Sequence, residues 1–185
     1  MKTKGSHALV IGGTGMLKDV SLWLNKKGYH VTVVGRQKSK FHRMLDQAYK
    51  KENFSAVNMD YHETEKFIER LKKAQNDLGS FEVIVSWVHS TADELIPKIF
   101  QMMQENDGEY DFYHLNGSRA YIEPFTVTPP SNCNYHEIIL GFKLTETHSR
   151  WLTNKEISDG VIDSIQHHRQ LTIVGQTEPW ELRPN

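Results

Sequence analysis

The chain has 185 residues, with 22 Lys and Arg against 23 Asp and Glu and a formal net charge of −1. This length fits one domain with a full core, so we expect residues 1–185 to form a single domain. The balanced charge argues against a nucleic-acid partner, no apolar run is long enough to span a membrane, and the single cysteine favours a reducing, cytoplasmic location.

The first predicted unit, His7–Arg36, consists of a strand, a glycine turn, a helix and a second strand. Ala8–Ile11 is a short apolar run that predicts a buried strand. The helix that follows the turn has three apolar residues on one face, and Gly28 is placed as its left-handed cap. His30–Val34 is rich in β-branched residues and predicts the second strand. The turn between the first strand and the helix is formed by Gly12, Gly13, Thr14, Gly15 and Met16.

A strand, glycine turn and helix in this order are typical of a nucleotide-binding βαβ unit. Glycines let the backbone approach a pyrophosphate, and the N–H groups and dipole at the helix N-terminus hold its charge. The third glycine of the G-x-x-G-x-x-G pattern is absent, because Lys18 stands there. The alternative is a tight turn in another kind of α/β protein.

Strands and helices continue to alternate through most of the chain. The further predicted helices are Lys38–Lys51, Glu63–Asn76, Leu95–Gln104 and a last helix that ends near His167, started by a capping box of Thr153 and Glu156. The further predicted strands are Phe54–Met59, Phe81–Val88, Asp111–Asn116, Tyr135–Thr145 and Leu171–Val174. Residues 119–134 form a long connection, a candidate substrate loop or lid.

This alternation predicts an α/β fold with a doubly wound, mostly parallel sheet, helices on both faces and the central strand order 3-2-1-4-5. Tyr135–Thr145 alternates between apolar and polar residues, so we expect it to be half-exposed rather than central. Its exposed face or edge is then a candidate subunit interface.

The turn Gly12-Gly13-Thr14-Gly15, together with Arg36 at the end of the second strand, resembles the short-chain dehydrogenase/reductase superfamily, nearer its atypical members. The resemblance extends over the first sixty or so residues at the level of motif. It implies a single-domain Rossmann fold, a nicotinamide cofactor and a small-molecule substrate. It also implies a homo-oligomer, since small members of this superfamily usually pair.

Arg36 indicates which nicotinamide cofactor is preferred. In a Rossmann unit an acidic residue at this position accepts a hydrogen bond from the 2′-OH of NAD, whereas an arginine can pair with the 2′-phosphate of NADP. The segment Arg36-Gln37-Lys38 holds two cations and no acid, so we expect NADP(H) to be preferred over NAD(H). The alternative for Arg36 is a solvated surface arginine.

Two further cofactor-binding candidates rest on the resemblance. Asp60 matches the place where the family's aspartate meets the adenine amino group, and its alternative is a helix cap for the segment beginning at His62. Trp87 lies where the family places its Asn-Asn-Ala-Gly segment against the cofactor, and that segment is absent here. Its alternative is a core aromatic residue.

The catalytic signature of the family, Tyr-x-x-x-Lys, is missing, because no tyrosine of this chain has a lysine four places later. Ser118 follows the fifth strand, where the family keeps its catalytic serine, and its alternative is an ordinary turn serine. Tyr135 follows the long connection and is a candidate proton donor. No metal site is expected, since His167 and His168 point in different directions on a helix and no Cys/His cluster occurs.

The sequence therefore favours an NADP(H)-dependent oxidoreductase that transfers a hydride to or from a small carbonyl-type substrate. The long connection with Ser118 at its base supports this hypothesis. The alternative is a non-catalytic NADP(H)-binding sensor or regulatory module, which the missing Tyr-x-x-x-Lys supports.

Overall fold

The computed structural model describes residues 5–92 and 94–184. In these residues the strands are β1 (His7–Ile11), β2 (His30–Val34), β3 (Phe54–Val57), β4 (Val83–Trp87), β5 (Tyr110–Gly117), β6 (Cys133–Leu140), β7 (Phe142–Leu144), β8 (Ser149–Trp151) and β9 (Leu171–Val174). The helices are α1 (Lys18–Lys26), α2 (Lys38–Leu45), α3 (Thr64–Leu78), α4 (Leu95–Gln104) and α5 (Asn154–His167). No helix in this part of the chain has the length and apolar character needed to cross a membrane.

Seven strands form one parallel sheet in the order β3-β2-β1-β4-β5-β6-β9. The predicted central order is confirmed, and β1 and β4 lie in the middle because their side chains are apolar enough to be buried on both faces. Strand order reverses between β1 and β4, so the crevice at their carboxyl ends is the place where open α/β sheets bind ligands.

Helices cover both faces of this sheet, as predicted. The buried side chains of α1, α2 and α5 pack with one set of strand residues, and those of α3 and α4 pack with the other. Each helix layer packs on apolar side chains of the sheet, and this packing forms one hydrophobic core on each face.

The prediction of one half-exposed strand over Tyr135–Thr145 is wrong. The regular strand structure is interrupted at Gly141, between β6 and β7. Strand β6 pairs with β5 on one side and β9 on the other, whereas β7 forms a separate antiparallel pair with β8. At the break the backbone passes close to Gln176, and a Cβ at Gly141 would lie 2.1 Å from the Gln176 carbonyl oxygen, so the position requires glycine. The exposed edge on this side of the sheet is therefore β9.

Several predicted boundaries also shift. The second helix ends at Leu45 rather than Lys51, and a 3-10 turn, Lys51–Asn53, follows it. The long connection is confirmed, with a 3-10 turn at Ser118–Tyr121 and an irregular segment over residues 122–132.

Two predicted helix ends are confirmed. Gly28 adopts a φ of +101°, as a left-handed residue after α1 requires. At the start of α5, Thr153 Oγ1 accepts from the Glu156 N–H at 3.2 Å, and Glu156 Oε2 accepts from the Thr153 N–H at 2.9 Å. These two reciprocal bonds form the predicted capping box.

Candidate functional site

The glycine turn between β1 and α1 lies at the carboxyl edge of the sheet, and its glycines have distinct roles. Gly12 has a φ of +88°, a conformation that L side chains rarely adopt. A Cβ at Gly13 would lie 2.6 Å from Ser21 Oγ and under 3 Å from two valine methyl groups. At Gly15 a Cβ would meet nothing within 4 Å, so this part of the turn faces open space.

The turn leaves hydrogen-bond donors without partners. Within the described residues, the backbone N–H groups of Gly13, Thr14 and Met16 donate to no acceptor. Helix α1 also begins without a side-chain cap, because Leu17 precedes it. Unpaired N–H groups at a helix N-terminus favour a bound anion, through both hydrogen bonds and the helix dipole.

Neighbouring elements hold the turn in place. Ser158 on α5 donates from Oγ to the Met16 carbonyl oxygen at 3.1 Å. Gly35, after β2, allows Thr14 to approach, since a Cβ there would lie 2.5 Å from Thr14 Oγ1. Trp87, at the end of β4, lies 3.7 Å from the Cβ position of Gly12. The structure thus brings together the predicted residues of the turn and Trp87.

A basic cleft of about 450 Å³ opens beside the turn. Its wall carries Lys18 from the start of α1 and Lys40 and Arg43 from α2, with Asp19 as the acidic member. The sequence reasoning missed Lys40 and Arg43, although their spacing of three residues on a predicted helix places both on one face. The cations give the cleft the charge that a phosphate group requires.

Arg36 and Asp60 meet at the ends of β2 and β3. Arg36 Nη1 lies 4.0 Å from Asp60 Oδ2, and the Arg36 side chain is 75% exposed. Asp60 does not cap a helix, because α3 begins only at Thr64; its Oδ1 accepts from the His62 N–H at 3.0 Å. This hydrogen bond and a second one from the His62 side chain lower the pKa of the Asp60 carboxyl group.

His62 joins this corner to the loop after β4. Its Nδ1 lies 2.6 Å from Asp60 Oδ1, and its Nε2 lies 2.9 Å from Thr91 Oγ1. The loops that follow β3 and β4 are therefore linked at the edge of the sheet, on the adenosine side of the expected cofactor position.

A second cavity, also of about 450 Å³, lies at the carboxyl ends of β4 and β5. It is lined by residues that include Trp87 and His89 after β4, His114 and Asn116 on β5, and Phe125 from the long connection. His114 is 4% exposed, and its Nδ1 lies 2.8 Å from the hydroxyl oxygen of Tyr135. Burial lowers the pKa of His114 to about 4 and raises the pKa of Tyr135.

The two catalytic candidates lie near this cavity without lining it. Ser118 is buried at the start of a 3-10 turn, between Gly117 and Arg119, which do line the cavity. Tyr135 on β6 lies behind His114 and contacts it through the hydroxyl group. His114 itself was missed, because its place at the cavity wall depends on pairing between β4, β5 and β6.

Among the described residues, no group of three or more His, Cys, Asp or Glu side chains is placed to hold a metal ion.

Comparisons with known proteins show similarity in structure but not in sequence. No protein-family model matches the chain, and no curated protein matches it. A β-ketoacyl-[ACP] reductase from Bacteroides thetaiotaomicron superposes with a TM-score of 0.69 at 10% identity, covering 92% of this chain and 97% of that one.

Two other solved structures are similar to the same extent. A variant of actinorhodin polyketide ketoreductase, solved with NADPH, has a TM-score of 0.68 at 11% identity, covering 95% and 98% of the two chains. A short-chain dehydrogenase from Streptomyces avermitilis has a TM-score of 0.65 at 9% identity, covering 95% and 89%. The chain therefore has the Rossmann-like fold of these structures.

Proposed function

We propose that the chain is an NADP(H)-dependent oxidoreductase, similar to atypical short-chain dehydrogenases/reductases, that transfers a hydride to or from a small carbonyl-type substrate. One observation carries this proposal: a glycine turn with unpaired N–H groups lies at the switch point of a doubly wound sheet, beside a cationic cleft.

The residues of the turn fit a dinucleotide. The open space at Gly15 leaves room for a pyrophosphate, and the N–H groups of Thr14 and Met16 are free to donate to it. Gly12 and Gly13 keep the turn close to β1 and α1. Bound NADPH supplies the hydride, while the protein binds and orients the reactants.

Arg36 is suited to select the phosphorylated cofactor. Its ion pair with Asp60 is long and exposed, and such pairs contribute little to stability, so the guanidinium group is available to a 2′-phosphate. Asp60 and Trp87 complete the proposed cofactor site. Asp60 lies on its adenosine side, beside Arg36, and Trp87 lies against Gly12. Lys18, Lys40 and Arg43 supply further positive charge near the turn.

The cavity at the ends of β4 and β5 is the proposed substrate site, next to Ser118. Ser118 and Tyr135 remain the proposed contributors to catalysis, with Tyr135 acting through His114 rather than by direct contact. The second candidate function is a non-catalytic NADP(H) sensor. The absence of Tyr-x-x-x-Lys favours it.

A calorimetric titration with NADPH and NADH tests the cofactor proposal. We expect tighter binding of NADPH, and Arg36→Glu should weaken NADPH binding at least about tenfold, with NADH unaffected, because only NADPH carries the charged 2′-phosphate. Arg70→Glu is the matched control, since it makes the same charge change at an exposed position of α3.

The outcomes separate the hypotheses. Equal binding of both cofactors would remove the role of Arg36, and no binding of either would refute the oxidoreductase and the sensor together. If NADPH binds, oxidation of NADPH with a panel of carbonyl compounds favours the enzyme. Binding without any turnover favours the sensor.

We also propose that the chain forms a homo-oligomer. The edge strand β9 leaves Leu171 56% exposed and Ile173 40% exposed, which provides an apolar surface and unpaired backbone groups. Analytical ultracentrifugation should show a dimer or larger species that Ile173→Lys weakens. A monomer at all concentrations would refute this.

A further inference from the structure

The cavity at the carboxyl ends of β4 and β5 has mainly apolar walls. Its volume of about 450 Å³ lies within the range of small-molecule sites. The apolar contribution comes from β4, β5, α4, the loop between β4 and α4, and the long connection, through residues that include Trp87, Ala92, Ile96, Leu115, Ala120 and Phe125. A ligand that fills it must therefore be largely apolar.

The polar side chains of the wall differ in whether they already have partners. Asn116 donates from Nδ2 to Glu137 at 3.0 Å, and Arg119 forms a two-bond ion pair with Glu123. His114 uses Nδ1 for Tyr135, and its Nε2 has no partner in the part of the chain that the structure describes. His114 lines the cavity, and its Nε2 is not one of the fully buried atoms, so that nitrogen is a hydrogen-bonding group available to a ligand there.

The contact with Tyr135 determines which nitrogen of His114 carries the proton. His114 Nδ1 is the one partner that the Tyr135 hydroxyl has among the described residues. A phenol proton without an acceptor is costly in a desolvated site, so the Tyr135 O–H donates to Nδ1. The neutral imidazole then carries its own proton on Nε2, which becomes a donor toward the cavity.

The surroundings keep this donor uncharged. The ring of Phe125 meets the His114 ring edge-on at 5.4 Å between centroids, and Phe112 lies against it at 6.0 Å. Burial among these rings holds the pKa of His114 at about 4, so the imidazole is neutral at physiological pH. A neutral N–H donor in an apolar wall can satisfy a carbonyl oxygen. It does not offset the desolvation cost of burying a charged carboxylate, so the cavity favours uncharged ligands.

We propose that this cavity binds a small, uncharged and largely apolar aldehyde or ketone whose carbonyl oxygen accepts a hydrogen bond from His114 Nε2. Tyr135 is then a positioning residue that fixes the imidazole tautomer. This inference rests on the proposed oxidoreductase function in that it names the substrate class of the same site.

Binding of two matched probes tests the inference without turnover. Acetophenone carries the carbonyl oxygen, and α-methylstyrene has nearly the same shape with a CH₂ group in its place. Affinities are measured by ligand-observed NMR on the full chain, with and without saturating NADP⁺. Long-range ¹H–¹⁵N spectra report the tautomer of His114.

We expect the wild-type protein to prefer acetophenone by roughly 2- to 10-fold, the range that one neutral hydrogen bond provides. In the same spectra, His114 Nε2 should carry the proton and shift on addition of acetophenone. His114→Phe keeps an aromatic ring between Phe112 and Phe125 but removes the donor, so the preference should fall to about onefold.

Tyr135→Phe serves as a second variant if His114→Phe does not fold. It should move proton occupancy from Nε2 toward Nδ1 and reduce the preference. Tyr113→Phe is its matched control, because it removes a tyrosine hydroxyl from β5 that has no hydrogen-bond partner among residues 5–92 and 94–184 and lies in the other core layer.

A preference for acetophenone over α-methylstyrene that persists in His114→Phe would overturn the inference. Failure of acetophenone to bind the wild-type protein both with and without NADP⁺ would also overturn it. Unchanged ¹⁵N shifts of His114 in Tyr135→Phe would overturn the role of Tyr135. If NADPH and NADP⁺ do not bind but the probe preference depends on His114, the proposed function fails and the binding site stands.

Discussion

In the glycine turn, two single substitutions can separate the glycine that the fold requires from the glycine that ligand binding requires. Gly13→Ala should destabilise the protein, while Gly15→Ala should leave it folded and weaken NADPH binding. Both changes add one methyl group, two positions apart in the same turn, so each variant is the control for the other.

The expected loss for Gly13→Ala follows from the space around its Cβ position. The methyl group would lie 2.6 Å from Ser21 Oγ, 2.8 Å from Val33 Cγ1 and 2.9 Å from Val10 Cγ1. Ser21 cannot easily turn away, because its Oγ donates to the Gly13 carbonyl oxygen at 3.0 Å. Overpacking of this kind costs about 1–3 kcal/mol, which corresponds to a fall in Tm of roughly 2–12 °C for a chain of this size.

Gly15→Ala should change the free energy of unfolding by less than about 1 kcal/mol, since its methyl group meets nothing within 4 Å. That methyl group would occupy the open space proposed for the pyrophosphate, so NADPH affinity should fall at least about tenfold. Thermal unfolding and calorimetric titration measure the two effects. Full NADPH affinity in Gly15→Ala, or wild-type stability in Gly13→Ala, would refute the reasoning.

Three further predictions concern stability. Burial lowers the pKa values of His7 and His114 from 6.5 to about 4, so the unfolded state binds more protons in this range. The stability that these two histidines contribute should be fully present above pH 6.5 and be lost progressively toward pH 4, by up to about 3 kcal/mol for each histidine. Urea unfolding at a series of pH values measures this loss, and a flat profile would contradict it. Thr153→Ala removes the hydrogen bond from the Glu156 N–H to Thr153 Oγ1 at the start of α5, and should lower the free energy of unfolding by about 1 kcal/mol in chemical denaturation. An unchanged free energy of unfolding would show that this cap does not stabilise the protein. Gly141→Ala places a Cβ 2.1 Å from the Gln176 carbonyl oxygen and should cost about 3 kcal/mol, the upper end of the usual range for overpacking; normal stability would show that the two segments are not in contact.

Local sequence patterns were sufficient to predict the first strand–turn–helix–strand unit and the order of the central strands. The apolar run before Gly12, the turn and the helix after it are adjacent in sequence, and the Gly15 N–H donates to the Gly12 carbonyl oxygen only three residues away. Right-handed crossovers then leave few ways to arrange alternating strands and helices. The capping box of Thr153 and Glu156 was predictable for the same reason, since both of its bonds join residues three apart.

The tertiary structure decided the features that depend on residues distant in sequence. At the break the backbone of Gly141 lies close to Gln176, and no pattern within Tyr135–Thr145 reveals that contact. The cationic cleft unites Lys18 with Lys40 and Arg43 across two helices.

The pairing of His114 with Tyr135 arises because β5 and β6 lie side by side, twenty-one residues apart in the chain. Sequence alone therefore determined where the backbone forms the glycine turn, because the residues of that turn are adjacent in the chain. Only the packed sheet decided which polar side chains face the neighbouring cavity, because strand pairing and burial place them there.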